Sequence, residues 1–404
     1  MLKLWKKIIY LDHASATPVD KSVTKYTSRI ERELFANPSA IHKDGVRVRK
    51  AIDDARSRIA TLMYAHSDEI IFTGSGTESN AIAILGVVNT YKGTDLPHII
   101  TTEIEHPSVL ENCRMLQVNK KAEVTYLKIN EQGTINPKDL RDALKENTVL
   151  VSVMYANNEI GTIQPIREIA KEIRHHRKTI ETNFPTFHTD ACQAMNYLDI
   201  ENIDKLGVDL LTFNSSKIYG PKGIAVLYKK RGVDLDPIYT GGGQESGLRS
   251  GTENVVGIVA IAKAFEIACA MKEKESVRLV KLRDYAMNKL LTLPKASGYE
   301  IILNGDKENR LPNNVNISIP GISSELLVIE LDARGILVSE RSACSSDDES
   351  GSHVIQALRK AQNIESSGVD GSLRISLRRS TKNSDIDNLV KSIKAILVKY
   401  KNWK

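Results

Sequence analysis

Lys217 closes the run Asp209-Leu-Leu-Thr-Phe-Asn-Ser-Ser-Lys217, and a Gly220-Pro-Lys-Gly223 turn follows Ile218-Tyr219. The apolar part reads as a buried strand, so the lysine stands at a strand end. Lysine is costly to bury unless it has a chemical task. An amine fixed in a cleft can form a Schiff base with an aldehyde, the attachment chemistry of pyridoxal 5'-phosphate. Taken alone, this stretch reads more simply as a surface lysine capping a strand. Similar endings elsewhere weigh against that reading. Glu69-Ile-Ile-Phe-Thr73 runs into Gly74-Ser-Gly-Thr77, and His98-Ile-Ile-Thr-Thr102 into Glu105-His106-Pro107. Val149-Leu-Val-Ser-Val-Met-Tyr155 runs into Asn157-Asn158-Glu159, and Pro185-Thr-Phe-His-Thr189 into Asp190-Ala-Cys-Gln193. In open α/β sheets, ligands bind beyond the carboxyl ends of strands, so residues there converge on one crevice.

Each ending has its own chemistry and its plainer alternative. Gly74 to Thr77 precede a helical stretch at 79–91, where free amides and a positive dipole end suit a phosphate. An ordinary glycine turn with a threonine cap reads the same residues without a ligand. Asp190 could face a charged partner or simply cap the next segment. His106 titrates near neutral pH and could move protons, or be satisfied within its loop. The amides of Asn158 and Gln193 could donate to a ligand or serve turns. Arg374 alternates with Leu373, Ile375 and Leu377, which places it on the polar side of a strand, where its fork matches a carboxylate. A solvated strand face is the alternative, and Arg378 competes for the role.

Cys344 lies in Ser339-Glu-Arg-Ser-Ala-Cys-Ser-Ser-Asp-Asp-Glu-Ser-Gly-Ser352. Free cysteines are usually buried and inert. This small, polar stretch suggests the opposite, a nucleophilic thiolate on a mobile loop. Arg341 favours the thiolate, while Asp347, Asp348 and Glu349 oppose it.

The elements that must position these groups follow from the rest of the chain. Its 404 residues can bury a large core and divide into two domains. The net charge of +6 is scattered, with no long basic block, so direct nucleic-acid binding is not indicated. No apolar run approaches membrane-spanning length. The basic, apolar residues 1–10 lack the core and cleavage site of a signal peptide. The four cysteines are far apart without a C-x-x-C pair, which argues against a zinc site or disulfide framework and for the cytoplasm. From about residue 21 to 268, strands alternate with helical stretches at 46–63, 165–175 and 252–270, the pattern of a parallel sheet with crossover helices. After a charged helical stretch at 272–293 the texture changes to Asn314-Val-Asn-Ile-Ser-Ile319, a helix from Ser323, the strand Leu373-Arg-Ile-Ser-Leu377 and a last helix at 385–400.

The ordered set of motifs resembles a known family. It comprises Tyr10-Leu-Asp-His-Ala-Ser-Ala-Thr-Pro18, Ala36-Asn-Pro-Ser39, Phe72-Thr-Gly-Ser-Gly-Thr-Glu-Ser79, Glu105-His106 and Asn157-Asn-Glu-Ile-Gly161. It continues with His188-Thr-Asp-Ala191, Lys217-Ile-Tyr-Gly-Pro-Lys-Gly223, Gly241-Gly-Gly-Gln-Glu245, Arg249-Ser-Gly-Thr-Glu-Asn254 and Ser342-Ala-Cys344. The set resembles the cysteine desulfurases of the class V aminotransferase superfamily, in the subgroup with a long cysteine loop. The resemblance implies an α/β chain of the fold-type I pyridoxal-phosphate architecture. Its large domain would carry a mostly parallel seven-stranded sheet, with a smaller C-terminal α/β domain beside it. The implied division is 1–20 packing with the small domain, 21–270 binding the cofactor, and 271–404 carrying the cysteine loop at about 339–352.

The implied roles fall on residues already singled out. Lys217 is the attachment lysine, Gly76 and Thr77 hold the phosphate, and Asp190 pairs with the ring nitrogen. Gln193 and Asn158 reach the phenolic oxygen, and His106 stacks on the ring and moves protons. Asn158 and Arg374 meet the substrate carboxylate. L-cysteine would yield L-alanine and a persulfide on Cys344, for transfer to an iron–sulfur scaffold or a tRNA-thiolation relay. A homodimer is implied, in which Thr252 of Gly251-Thr-Glu-Asn254 reaches the other subunit's phosphate. Two departures stand out. Asn214-Ser-Ser216 replaces a Ser-Gly-His triplet, leaving Ser216 in the place of a phosphate-binding histidine, and Glu340-Arg341 replaces Ser-Gly at the loop base. A selenocysteine lyase or another class V enzyme is one rival reading. A weakly active sulfur-relay scaffold is the other.

Overall fold

The computed structural model describes residues 8–200, 202–293, 298–340, 352–364 and 372–401. A seven-stranded sheet forms its centre, in the order β2-β8-β7-β6-β5-β3-β4. The strands are β2 (Ile70–Thr73), β3 (His98–Thr102), β4 (Glu123–Leu127), β5 (Thr148–Ser152), β6 (Thr186–Asp190), β7 (Leu210–Asn214) and β8 (Ala225–Lys229). Only β8 runs against its neighbours; the other pairings are parallel. The carboxyl ends of β2, β3, β5, β6 and β7 therefore share one edge. Every residue of β3, β5 and β6 is buried, as expected of strands covered on both faces.

Helices supply the two covers. On one face, α2 (Lys43–Met63), α6 (Ile166–Thr179) and the first half of α8 (Val255–Leu291) bury Ile52, Ile59, Ile169, Ile173, Ile261 and Phe265. On the other, α3 (Gly76–Thr90) and α4 (Pro107–Val118) contribute Ile82, Val87, Val109 and Leu116. Two histidines link strands within the sheet. His98 of β3 bonds Thr148 of β5 at 2.9 Å and Thr125 of β4 at 2.8 Å. His188 of β6 bonds Ser152 of β5 at 2.8 Å and Thr212 of β7 at 3.1 Å. Burial holds both well below the usual imidazole range, at about 4, so they stay neutral links.

A second core lies at the C-terminal end. There β12 (Ser372–Ser376), β10 (Asn314–Ser318) and β9 (Ile302–Leu303) form an antiparallel sheet. The second half of α8 and the helix Asn383–Lys401 pack on it through Leu279, Leu290, Ile386, Ile393 and Leu397. The N-terminal strand β1 (Ile9–Tyr10) pairs in parallel with β11 (Ile336–Leu337), and Leu11 joins this core.

The structure departs from the sequence reading in defined places. The helices expected at 252–270 and 272–293 are one helix, α8, because the charged residues between them continue the helical repeat without a breaker. The helix expected at 79–91 starts three residues earlier, at Gly76, capped by Ser75. Strand β4, which mixes polar and apolar residues, and the largely apolar β8 lie outside the runs singled out in the sequence.

Candidate active site

At the shared edge of the sheet the strand ends open onto a cavity of about 250 Å³. Ala14, Ser15, Gly76, Thr77, His106, Asn158, Asp190, Gln193, Asn214, Ser216, Lys217 and Arg374 line it. Each ending singled out in the sequence thus reaches one space, and the small C-terminal sheet adds Arg374.

β2 leads into α3 through Gly74-Ser-Gly. The Glu78 carboxylate accepts the Gly74 amide at 2.7 Å, and the Ser75 hydroxyl accepts the Glu78 amide at 3.1 Å. The Gly76 and Thr77 amides have no partner among the described residues. Two free donors at the start of a long helix make an anion cradle. Gly76 fits closely there: a Cβ would sit 3.1 Å from Cys192 Sγ and 3.3 Å from Asn214 Nδ2, tighter than ordinary contact.

β7 ends in a turn of 3-10 helix, Ser215–Lys217, capped by Asn214. Asn214 Oδ1 accepts the Lys217 amide at 3.2 Å and the Ser216 hydroxyl at 3.3 Å. That leaves its Nδ2 beside the start of α3. The Lys217 Nζ donates to the carbonyls of Ala14 at 2.6 Å and Ser15 at 2.5 Å.

Asp190, the last residue of β6, accepts the Cys192 amide on Oδ1 at 2.9 Å and the Asn80 side chain on Oδ2 at 2.8 Å. The first bond is a capping contact, so the capping and ligand-facing readings coexist at this carboxylate. His106 caps α4, its Nδ1 accepting the Ser108 amide at 3.1 Å. Burial pushes its pKa down and Lys217 and His353 add to this, while Asp190 and Glu159 pull the other way. Gln193 donates to the Ala14 carbonyl at 3.0 Å.

Arg374 is buried, not on a solvated face. It donates to Asp12 at 2.9 Å, Ser15 Oγ at 2.5 Å and the Asn158 carbonyl at 3.1 Å. Its competitor Arg378 lines a separate cavity beside Tyr10 and Asp385. Asn158 is held from both sides of its turn. Asn157 Oδ1 accepts the amides of Glu159 and Ile160 at 2.8 and 3.0 Å. Asn314 and Asn316 of β10 each donate to the Glu159 carbonyl at 3.1 Å. Thr252 is exposed and does not line this cavity. Cys344 and Arg341 lie outside the described residues. The sequence reading passed over Asn80, Ser108 and the Ala14-Ser15 carbonyls, and met Asn214 only as a departure from the family pattern. Asn80 stands three residues after Thr77 and Ser108 two after His106, and that nearness is the sequence signal that could have found them.

Residues 9–389 match the family model described as aminotransferase class-V. A cysteine desulfurase IscS of Dictyoglomus turgidum is 41% identical over 394 residues, covering 98% of this chain and 95% of that protein. The chain belongs to the class V aminotransferase family, among its cysteine desulfurases. A solved NifS-like protein superposes with a TM-score of 0.86 at 32% identity, covering 96% of this chain and 99% of its own. A structure described as SspA in complex with cysteine gives 0.75 at 32% identity, covering 91% and 98%. The desulfurase is thus a pyridoxal-phosphate-family α/β enzyme. These likenesses do not favour the selenocysteine lyase or relay-scaffold readings. No helix among the described residues is long and apolar enough to cross a membrane.

Proposed function

We propose that this desulfurase binds pyridoxal 5'-phosphate in the 250 Å³ cavity and passes the sulfur of L-cysteine to Cys344. The reading is carried by one observation: Lys217, Asp190 and the free amides of Gly76 and Thr77 line the same cavity. The groups present fit the cofactor, because an amine, a carboxylate and an anion cradle match its aldehyde, ring nitrogen and phosphate. When bound, it supplies an electron sink for bonds at the substrate's α-carbon.

The chain's own residues do the rest. The Gly76 and Thr77 amides, with Ser216, hold the phosphate, and Asp190 holds the ring-nitrogen proton. Gln193 and Asn158 donate to the phenolic oxygen. Arg374 and Asn158 take the substrate carboxylate; the cysteine-bound relative supports that substrate. Lys217 Nζ, poised at the Ala14 and Ser15 carbonyls, and His106 move protons. The Cys344 thiolate attacks the substrate sulfur, whose bond to the substrate carbon breaks; the bonding pair stays with that carbon, which takes a proton and leaves as L-alanine, and a persulfide remains on Cys344. An acceptor protein, an iron–sulfur scaffold or tRNA-thiolation relay, then takes that sulfur in the cytoplasm. Residues 21–270 form the cofactor domain and 271–404 the smaller one, with 1–20 packed against it. Thr252, exposed on its own subunit, serves the other cavity of a homodimer.

The test is chemical trapping. Borohydride reduction of the purified protein is expected to fix the cofactor on Lys217. Label found on the exposed Lys222 would overturn the assignment.

A further inference from the structure

Three hydrogen bonds join Asp190 to His106 through residues to which no role has been given. The Asn80 amide Nδ2 donates to Asp190 Oδ2 and to Ser108 Oγ, each at 2.8 Å. Ser108 Oγ lies 2.8 Å from His106 Nδ1, and the Ser108 backbone N–H reaches the same nitrogen at 3.1 Å. Asn80 is fully buried and Ser108 nearly so.

Counting donors places every proton. A carboxylate only accepts, so Asn80 turns its NH2 to Asp190. The same NH2 donates to Ser108, whose oxygen therefore accepts there and directs its own hydrogen elsewhere. A backbone N–H only donates, so His106 Nδ1 presents its lone pair. The Ser108 hydroxyl hydrogen points to that lone pair, and the ring proton of a neutral His106 sits on Nε2. Nε2 has no partner among the described residues, and His106 lines the cavity.

We propose that Asn80 and Ser108 are positioning residues that lock His106 as the neutral imidazole with its proton on Nε2. His106 then meets a bound substrate as a hydrogen-bond donor. It does not act as a base through that nitrogen until the proton has been given up. The charged groups facing it divide. Asp190 from β6 and Glu159 from the turn after β5 favour imidazolium. Lys217 from the turn after β7, His353 from the helix His353–Ala361 and burial itself oppose it. The two donors at Nδ1 add to the opposing side.

The inference rests on His106 serving the proposed cavity, and its test does not require turnover. The probe is nitrogen-15 NMR of histidine-labelled full-length protein, with the cofactor bound and after its removal. The His106 signal is assigned by its loss in His106→Gln. The expected signal is a neutral ring protonated on Nε2. Ser108→Ala removes one donor to the lone pair. It is expected to lower the ratio of neutral to protonated His106 at fixed pH by roughly three- to tenfold. Ser108→Thr is expected to restore that ratio, and Asn80→Ala to lower it partly by freeing the hydroxyl to rotate. A wild-type ring protonated on Nδ1, or doubly protonated at neutral pH, would sink the proposal even if no variant folds. So would a Ser108→Ala protein that titrates like wild type. Failure to take up pyridoxal phosphate would instead overturn the cofactor reading and leave the tautomer measurement intact.

Discussion

Individual side chains divide the labour at the cavity in ways that substitution can separate. Cys344→Ser is expected to keep the cofactor and its spectral response to added cysteine while forming no persulfide. In the proposed sequence of events the thiol acts after the cofactor-dependent steps, so a variant with full desulfurase activity would exclude Cys344 as the acceptor. Glu105 offers a second test. Its carboxyl is fully buried, and burial pushes its pKa up to about 8, aided by Asp190 and opposed by bonds from Met154 and Thr102. The folded protein therefore holds a proton that the unfolded chain releases near its ordinary value of 4.5. This contribution is present in full below about 4.5 and is lost as the pH rises through about 8. Glu105→Gln keeps an acceptor for Met154 and Thr102 and cannot titrate. Melting curves between those limits are expected to show wild type losing about 1.4 kcal/mol per pH unit relative to the variant. Parallel curves would refute this.

The elements show why some of the site was legible and some was not. β2, β3, β5, β6 and β7 announce themselves because apolar runs end in Gly74, Glu105, Asn157, Asp190 and Ser215. Their convergence follows from a sheet in which only β8 is reversed. Burial of Arg374 was not legible. Ser372, Arg374 and Ser376 alternate as a solvated strand would, but Asp12, Ser15 and the Asn158 carbonyl cover the arginine from distant parts of the chain. Asn80 and Ser108 were illegible for the same reason, since their meaning lies in a bond across 28 residues. The grip of β10 on the Asn157–Gly161 turn is another such contact. Gly161 has φ 76°, and a Cβ there would lie 2.7 Å from Asn314 Cγ. Gly161→Ala combines left-handed strain with that clash and is expected to cost roughly 2–4 kcal/mol of stability, and to raise the KM for cysteine by displacing Asn158. Unchanged melting and KM would show that the turn does not position Asn158.

At the scale of the whole molecule, the proposed homodimer makes the exposed Thr252 the residue to test. Light scattering is expected to give the mass of a dimer. Thr252→Ala is expected to lose pyridoxal phosphate faster on dialysis, by about one hydrogen bond or 1 kcal/mol. The effect is sharpened because Ser216, in the family's histidine position, has a single hydroxyl hydrogen for the phosphate, which in this structure points to Asn214 at 3.3 Å. A monomer that keeps its cofactor, or an unaffected Thr252→Ala protein, would defeat this arrangement.

The unbroken α8 spans both cores: Ile258, Ile261 and Phe265 point into one, and Leu279, Leu282 and Leu290 into the other. The stretch Lys272-Glu-Lys-Glu275 has the composition of a spacer, and spacers usually tolerate changes of length. Here it is a phased shaft. One inserted alanine after Met271 would turn everything downstream by about 100° and advance it by about 1.5 Å. Leu279 and Leu290 would swing out of their seats while both halves remained good helix. The chain is therefore expected to accept most substitutions at the exposed Glu273 and Lys274 and to reject a single insertion or deletion between them, with loss of cooperative melting as the readout.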